Sequence, residues 1–221
     1  MEKAVNLLHL ITSCERDRHN GANQACRDTW LREWGGLVPY KFIVGRPCKS
    51  LLPDELWVDT PDDFGNVVFK ERMAYEWAYA HYYDFVYISS PDCYRIIPRM
   101  LASGFENHDY VGSKAPNENH CGGCGYWLSA KAIDALLTQD VIIDYPDRSA
   151  GRAMAAAGIP LVDDTRYWGA PGQDGGKPFD PNAPGVWDTG IVGVNLGRGT
   201  GNFDPKWMRE CHASYMQWSA K

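Results

Sequence analysis

A run of four apolar residues, Phe85-Val86-Tyr87-Ile88, passes straight into Ser89-Ser90-Pro91-Asp92. A strand without polar alternation is covered on both faces, which places it inside a sheet with helices packed on either side. Shorter apolar runs at residues 5–12, 40–44 and 56–58 also read as strands. Between them, residues 13–20 form a polar loop. Residues 22–34 repeat at helical spacing, with Ala25, Thr29 and Trp30 on one side and Gly35-Gly36 as the stop. A long helix is predicted over residues 66–81, with Asn66 as its N-cap and Val67, Phe69, Met73, Tyr75, Trp77 and Ala78 as its buried face. Further helices are predicted at 97–103, 130–137 and 149–157, and strands at 110–111 and 159–162. This alternation predicts an α/β fold: one domain over residues 1–221, with a mainly parallel central sheet flanked by helices. Residues 169–201 are rich in Gly, Pro and Asp, with only 190–195 strand-like, and read as a long surface loop and candidate lid.

Composition narrows the partners. The 221 residues carry 22 Lys and Arg against 28 Asp and Glu, a net charge of −6. Whole-surface attraction to nucleic acid needs clustered cations and is therefore not expected, although a local basic groove is compatible with this composition. No run reaches the ~18 apolar residues of a membrane span. Asn6 and His9 interrupt the apolar N-terminus, so no signal peptide is recognised and a cytoplasmic protein is expected. Seven cysteines, an odd number, point to reduced thiols rather than a disulfide framework.

Several positions could carry chemistry. Ligands of open α/β sheets bind beyond the carboxyl ends of strands, where Asp92 stands. A carboxylate there can hold a divalent cation, or it can simply close the turn at Pro91. Asp147 lies in Tyr145-Pro146-Asp147-Arg148-Ser149, a helix start with Pro in the first turn. The helix dipole favours an acid there without any catalytic role, and lowers its pKa unless burial compensates. The run Gly122-Gly123-Cys124-Gly125 allows close backbone approach to a ligand, or forms a plain turn, and Tyr126-Trp127 adds aromatic walls. His120-Cys121-x-x-Cys124 lacks the second spaced pair of a zinc site, which Cys211-His212 could supply only from far away. The pairs Asp62-Asp63 and Asp163-Asp164 are acidic candidates, the first placed to cap a helix and the second at a strand end. Trp168, Trp187, Trp207 and Trp218 could stack on a sugar or a base, or be core.

The order of these motifs resembles the beta-1,3-galactosyltransferase and Fringe-like family of nucleotide-sugar glycosyltransferases, which have the GT-A fold. Arg27-Asp28-Thr29-Trp30 is similar to the family's Arg-x-Thr-Trp helix. Asp63-Phe64 and Asn66-Val67-Val68-Phe69-Lys70 resemble its Asp-Phe and Asn-Leu-Thr-Leu-Lys elements. Residues 85–94 resemble the strand leading to the triple aspartate, and residues 121–129 its Cys-Ser-Gly-Gly-Gly-Tyr-Val-Leu-Ser segment. Asp147 with Gly151 resembles the Glu-Asp-Val-x-x-Gly element. The likeness runs from about residue 5 to residue 160. It departs from the family at the triple aspartate, here Ser90-Pro91-Asp92, and at the acid before the base, here Pro146.

The resemblance implies an inverting glycosyltransferase that moves a sugar from a UDP-sugar donor to an acceptor hydroxyl. Asp147 would be the base. Arg27, Lys70, Ser90, Asp92, Gly123 and Gly125 would bind the donor, and Tyr126 and Trp127 the acceptor. Asp92, with His212 as a candidate second ligand, would hold Mn²⁺ or Mg²⁺. The acceptor is a glycan or a hydroxymethylated DNA base. The alternative is a non-catalytic carbohydrate- or nucleotide-binding module that kept the fold without the metal.

Overall fold

Leu7–Thr12 forms the first strand, β1, and its alternation defines two layers of core. Leu8 and Leu10 turn to one face of the sheet, Ile11 to the other. The computed structural model that reveals this describes residues 5–48, 50–115, 120–168, 179–197 and 203–221. Beyond β1 come α1 (Glu15–His19), α2 (Ala22–Asp28), α3 (Trp30–Trp34), β2 (Tyr40–Arg46) and β3 (Glu55–Pro61). Then follow α4 (Val67–Ala80), β4 (Phe85–Ser89), β5 (Cys93–Arg95), α5 (Ile97–Leu101), β6 (Tyr110–Lys114) and β7 (Cys121–Ser129). The chain continues through α6 (Ala130–Thr138), α7 (Pro146–Ala156), β8 (Val162–Asp163), β9 (Tyr167–Trp168), β10 (Gly193–Asn195) and α8 (Pro205–Ser219).

Seven strands form one sheet in the order β3-β2-β1-β4-β7-β6-β8, and β5-β10-β9 form a second, smaller one. The large sheet is parallel from β3 to β4 and again between β6 and β8; β7 is antiparallel to both of its neighbours. Helices α4, α6 and α7 cover one face through Ala74, Ile133 and Met154, packed on Leu10, Val86 and Ile88. The other face carries α2, α3, α5, α8 and the small sheet, with Trp30, Tyr94, Val194 and Met208 against Ile11 and Tyr87. The uninterrupted apolar character of residues 85–88 is thus explained: β4 has both faces buried.

Several predicted elements take a different form. The loop 13–20 contains α1. The helix expected over 22–34 is two helices, because Thr29 leaves helical geometry (φ −117°, ψ −110°) while its hydroxyl donates to the Ala25 carbonyl at 2.6 Å. Asn66 does not cap α4 with its side chain; Asp63 instead accepts from the Asn66 amide at 3.0 Å and caps a short 3-10 turn, Phe64–Asn66. The buried face of α4 is Val68, Glu71, Ala74, Tyr75 and Ala78, so Val67, Phe69, Met73 and Trp77 are only half-buried. The glycine-rich segment is a strand, not a turn. At Gly125 the backbone enters the left-handed region (φ +95°), where an added Cβ would strike the Ile88 carbonyl. This kink reverses the in–out alternation, so Cys124 and Tyr126 pack on opposite faces although two residues apart. Of the candidate lid, residues 169–178 and 198–201 lie outside the described residues. Within 179–197, Trp187, Val192 and Val194 are buried and β10 is the middle strand of the small sheet.

Candidate active site

The parallel half of the sheet ends all its strands at one edge, and a cleft of about 740 Å³ opens there. Thr12 and Ser13 follow from β1, Asp62 and Asp63 from β3, and Ser89, Ser90, Pro91 and Asp92 from β4. Gly125 and Tyr126 of β7 form part of the floor. Lys70 and Glu71 of α4, with Tyr145, Pro146 and Asp147 at the start of α7, make the facing wall.

Asp92 is held in its turn by a short hydrogen bond from the Ser90 hydroxyl, and its carbonyl accepts from the Leu196 amide at 2.8 Å. Burial raises its pKa. Hydrogen bonds from Ser90 and Cys93 and the nearby charge of Arg95 oppose that rise, and Asp17 adds to it. Gly197 lies against this carboxylate so closely that a Cβ would collide with it.

Asp147 sits on the same cleft, in the first turn of α7 behind Pro146. One carboxylate oxygen accepts from the Arg148 amide at 2.9 Å, and the other lies 3.9 Å from His120 Nδ1. Its pKa is raised, because burial outweighs His120 and the amides. The helix-start geometry is therefore compatible with a base, since burial supplies the compensation that the dipole would otherwise deny.

Glu71 is a second acid on this wall that sequence reading did not find. Its carboxylate accepts from the Thr12 hydroxyl at 2.7 Å and from the Tyr75 hydroxyl at 3.4 Å, while Tyr75 meets Tyr126 at 3.2 Å. Burial pushes Glu71 up to about 7, with the Thr12 bond opposing and Asp147 adding like-charge repulsion. Asp17, Asn195 and Phe203 also line the cleft and were not singled out from sequence; Phe64, quoted there only as part of an Asp-Phe motif, lines it too.

Other expected site residues lie elsewhere. Arg27 is outside the cleft lining: it makes a bidentate pair with Asp54 (2.8 and 3.0 Å) and lies over the Phe42 ring. Trp127 is 1% exposed on the far face of the sheet, stacked on Phe105 at 3.8 Å and donating to the Tyr167 hydroxyl at 2.8 Å. It is core, because Gly125 sends Tyr126 to the cleft side and Trp127 away from it. His212 is also outside the lining, its Nδ1 3.1 Å from the Tyr94 hydroxyl and its ring edge-on to Trp34. It is not brought together with Asp92. Gly123 belongs to β7. Lys70 does line the cleft, but its ammonium donates to Asp62 (2.7 Å) and to the Ser13 carbonyl (2.5 Å).

The remaining motifs are structural. Asp62 accepts from the Glu15 amide at 2.5 Å and the Gly45 amide at 3.0 Å, in addition to Lys70. Asp163 accepts from the Lys114 amide and Asp164 clasps Arg166, both away from the cleft lining. Cys121 and Cys124 face opposite sides of β7 and cannot converge on one zinc, and none of the seven cysteines is joined in a disulfide. Trp187, Trp207 and Trp218 do not line the cleft.

No protein-family model and no curated protein matches the chain. Among solved structures it is similar to a glycosyltransferase involved in the glycosylation of the major capsid of PBCV-1. The identity is 10%, over 93% of this chain and 99% of that one, with a TM-score of 0.54. Weaker likenesses are to a protein described as a nucleotide-diphospho-sugar transferase from Desulfovibrio desulfuricans G20 (11% identity, 72% of this chain and 80% of that one, TM-score 0.49) and to A197 from STIV (12%, 71% and 80%, 0.46). The first likeness is one of fold: a mostly parallel α/β domain. No helix among the described residues is long and apolar enough to cross a membrane.

Proposed function

We propose that the protein is an inverting glycosyltransferase using a UDP-sugar, as the sequence resemblance to the Fringe-like family implies. The supporting observation is that Asp92 and Asp147, on separate elements, line one cleft at the carboxyl edge of the sheet. In this reading the acceptor oxygen forms its bond to the anomeric carbon as the bond to the diphosphate breaks. Asp147 takes the hydroxyl proton, and its raised pKa strengthens it as a base.

The departing diphosphate needs positive charge, and the described residues of the cleft offer little of it. Asp17, Asp62, Asp63, Glu71, Asp92 and Asp147 line it against Arg16 and Lys70, and Lys70 is bound to Asp62. Asp92, with Asp17 close enough to influence it, offers the hard oxygen donors that Mn²⁺ or Mg²⁺ accepts beside a substrate diphosphate. Among the described residues no group of three or more His, Cys, Asp or Glu could hold a metal ion, so substrate oxygens and water would have to complete its shell. Such a cation, when bound, neutralises charge on the leaving group.

The same acidic lining disfavours a nucleic-acid acceptor and supports a neutral glycan. A second reading, a binding module without turnover, draws on Lys70 and Arg27 both being committed to carboxylates. The deciding experiment measures hydrolysis of UDP-glucose, UDP-galactose and UDP-N-acetylglucosamine with Mn²⁺. Release of UDP that is lost in Asp92→Ala supports the enzyme. Donor binding without turnover, across donors and acceptors, supports the module.

A further inference from the structure

Two aromatic rings stand in the open at the mouth of the cleft. Phe64 is 72% exposed and Tyr145 is 53% exposed, in a chain whose other aromatics are mostly packed away. Their centroids are 5.7 Å apart, edge to face at 68°, so the two side chains form one continuous apolar ledge. Both line the cleft. Neither is loose. Phe64 belongs to the 3-10 turn that Asp63 clamps through the Asn66 amide and side-chain amide. Tyr145 is the N-cap of α7, with the Arg148 guanidinium 5.3 Å from its ring centre. Exposed rings pre-set at a cleft mouth are what a ligand with an apolar face requires, and they cost little ordering on binding.

We infer that Phe64 and Tyr145 form the acceptor platform and that its occupant is a neutral pyranose of a glycan, stacked by its C–H face. The position fits the chemistry: Tyr145, the N-cap of α7, and Asp147, in its first turn, line the same cleft, so a sugar resting on the ledge shares that cleft with the carboxylate. Charge selects the class of occupant. Among the described lining residues Asp17, Asp63, Asp92 and Asp147 carry charge that Lys70, bound to Asp62, does not offset, which disfavours a phosphate-rich strand, whereas an uncharged sugar meets no such barrier. The inference rests on the reading of the cleft as a sugar-transfer site, and its test keeps the two apart.

Saturation-transfer NMR on the whole chain would use methyl β-glucoside, methyl β-galactoside, methyl α-mannoside and N-acetylglucosamine as probes, beside a single-stranded oligothymidine. At least one sugar is expected to bind through its ring protons. Phe64→Ala and Tyr145→Ala should each weaken it about tenfold, the scale of one lost stacking face. Tyr145→Phe, which keeps the ring, should retain binding; circular dichroism confirms that each variant folds. Absence of binding by all four sugars, sugar binding indifferent to both alanine variants, or preferential ring-dependent binding of the oligothymidine would overturn the platform. Thermal shift of the unsubstituted chain by UDP-glucose with Mn²⁺ reads the donor side separately. Sugar binding without donor binding leaves the platform standing and removes the transferase reading.

Discussion

The Lys70 ammonium lies 2.7 Å from an Asp62 carboxylate oxygen, with each side chain only 3% exposed. Asp62 also accepts from the amides of Glu15 and Gly45, so one carboxylate joins the start of α1, the end of β2 and the first turn of α4. Breaking a buried pair leaves an uncompensated charge, which costs about 3–5 kcal/mol. Lys70→Met is expected to lower stability on that scale in urea denaturation, and adding Asp62→Asn should recover part of the loss. A loss below about 1 kcal/mol, the worth of an exposed pair, would show that the pair is not buried in solution.

Asp147→Asn keeps the shape of the helix start and removes the base. Sugar transfer is expected to fall by roughly 10²–10⁴-fold, the usual contribution of a general base, while donor binding by calorimetry persists. In the unsubstituted protein, the proposed transfer activity should rise with pH through a value above the ordinary 3.8 of an aspartate, because burial holds the proton on Asp147. Transfer that is flat from pH 4 to 7 would remove Asp147 from the reaction.

Glu71 gives stability a pH dependence. Its folded pKa of about 7 exceeds the ordinary 4.5, so between these values the folded chain holds a proton that the unfolded chain has released. Folding is favoured below pH 4.5 and weakens as pH rises through 7, by up to roughly 3 kcal/mol. Glu71→Gln retains an oxygen for Thr12 and should raise the melting temperature at pH 8 with little effect at pH 4. An equal effect at both would count against a protonated Glu71.

Trp127, expected from sequence to be an acceptor wall, is core. Trp127→Ala should therefore destabilise the protein by about 3–5 kcal/mol, the usual cost of removing a large buried ring. Chemical denaturation checks this; a stable variant with altered sugar binding would return Trp127 to the site.

The sequence disclosed backbone elements better than side-chain directions. The unbroken apolar run at residues 85–88 located the inner strand, and Pro146 located the start of α7. The position of Asp92 and Asp147 on the cleft was legible because each stands at the end of such an element. Trp127 was misassigned because the left-handed Gly125 reverses the strand's alternation, a fact carried by a dihedral angle rather than by spacing. Arg27 was misassigned because its partners Asp54 and Glu55 are distant in the chain. Glu71 was overlooked because it shares a face of α4 with Ala74, Tyr75 and Ala78, where helical periodicity anticipates only apolar residues. Phe64 and Tyr145 carry no local mark of exposure; their ledge exists only where the turn before α4 meets the start of α7.

The Leu196 amide closes on the Asp92 carbonyl, and Gly197 rests against the Asp92 carboxylate, a hundred residues after Asp92 itself. Because a ribosome emits the chain from its N-terminus, the large sheet can assemble while this corner still lacks its neighbours. This corner of the cleft therefore matures late in synthesis, and a nascent fragment ending before β10 would carry the sheet edge without the wall beside Asp92.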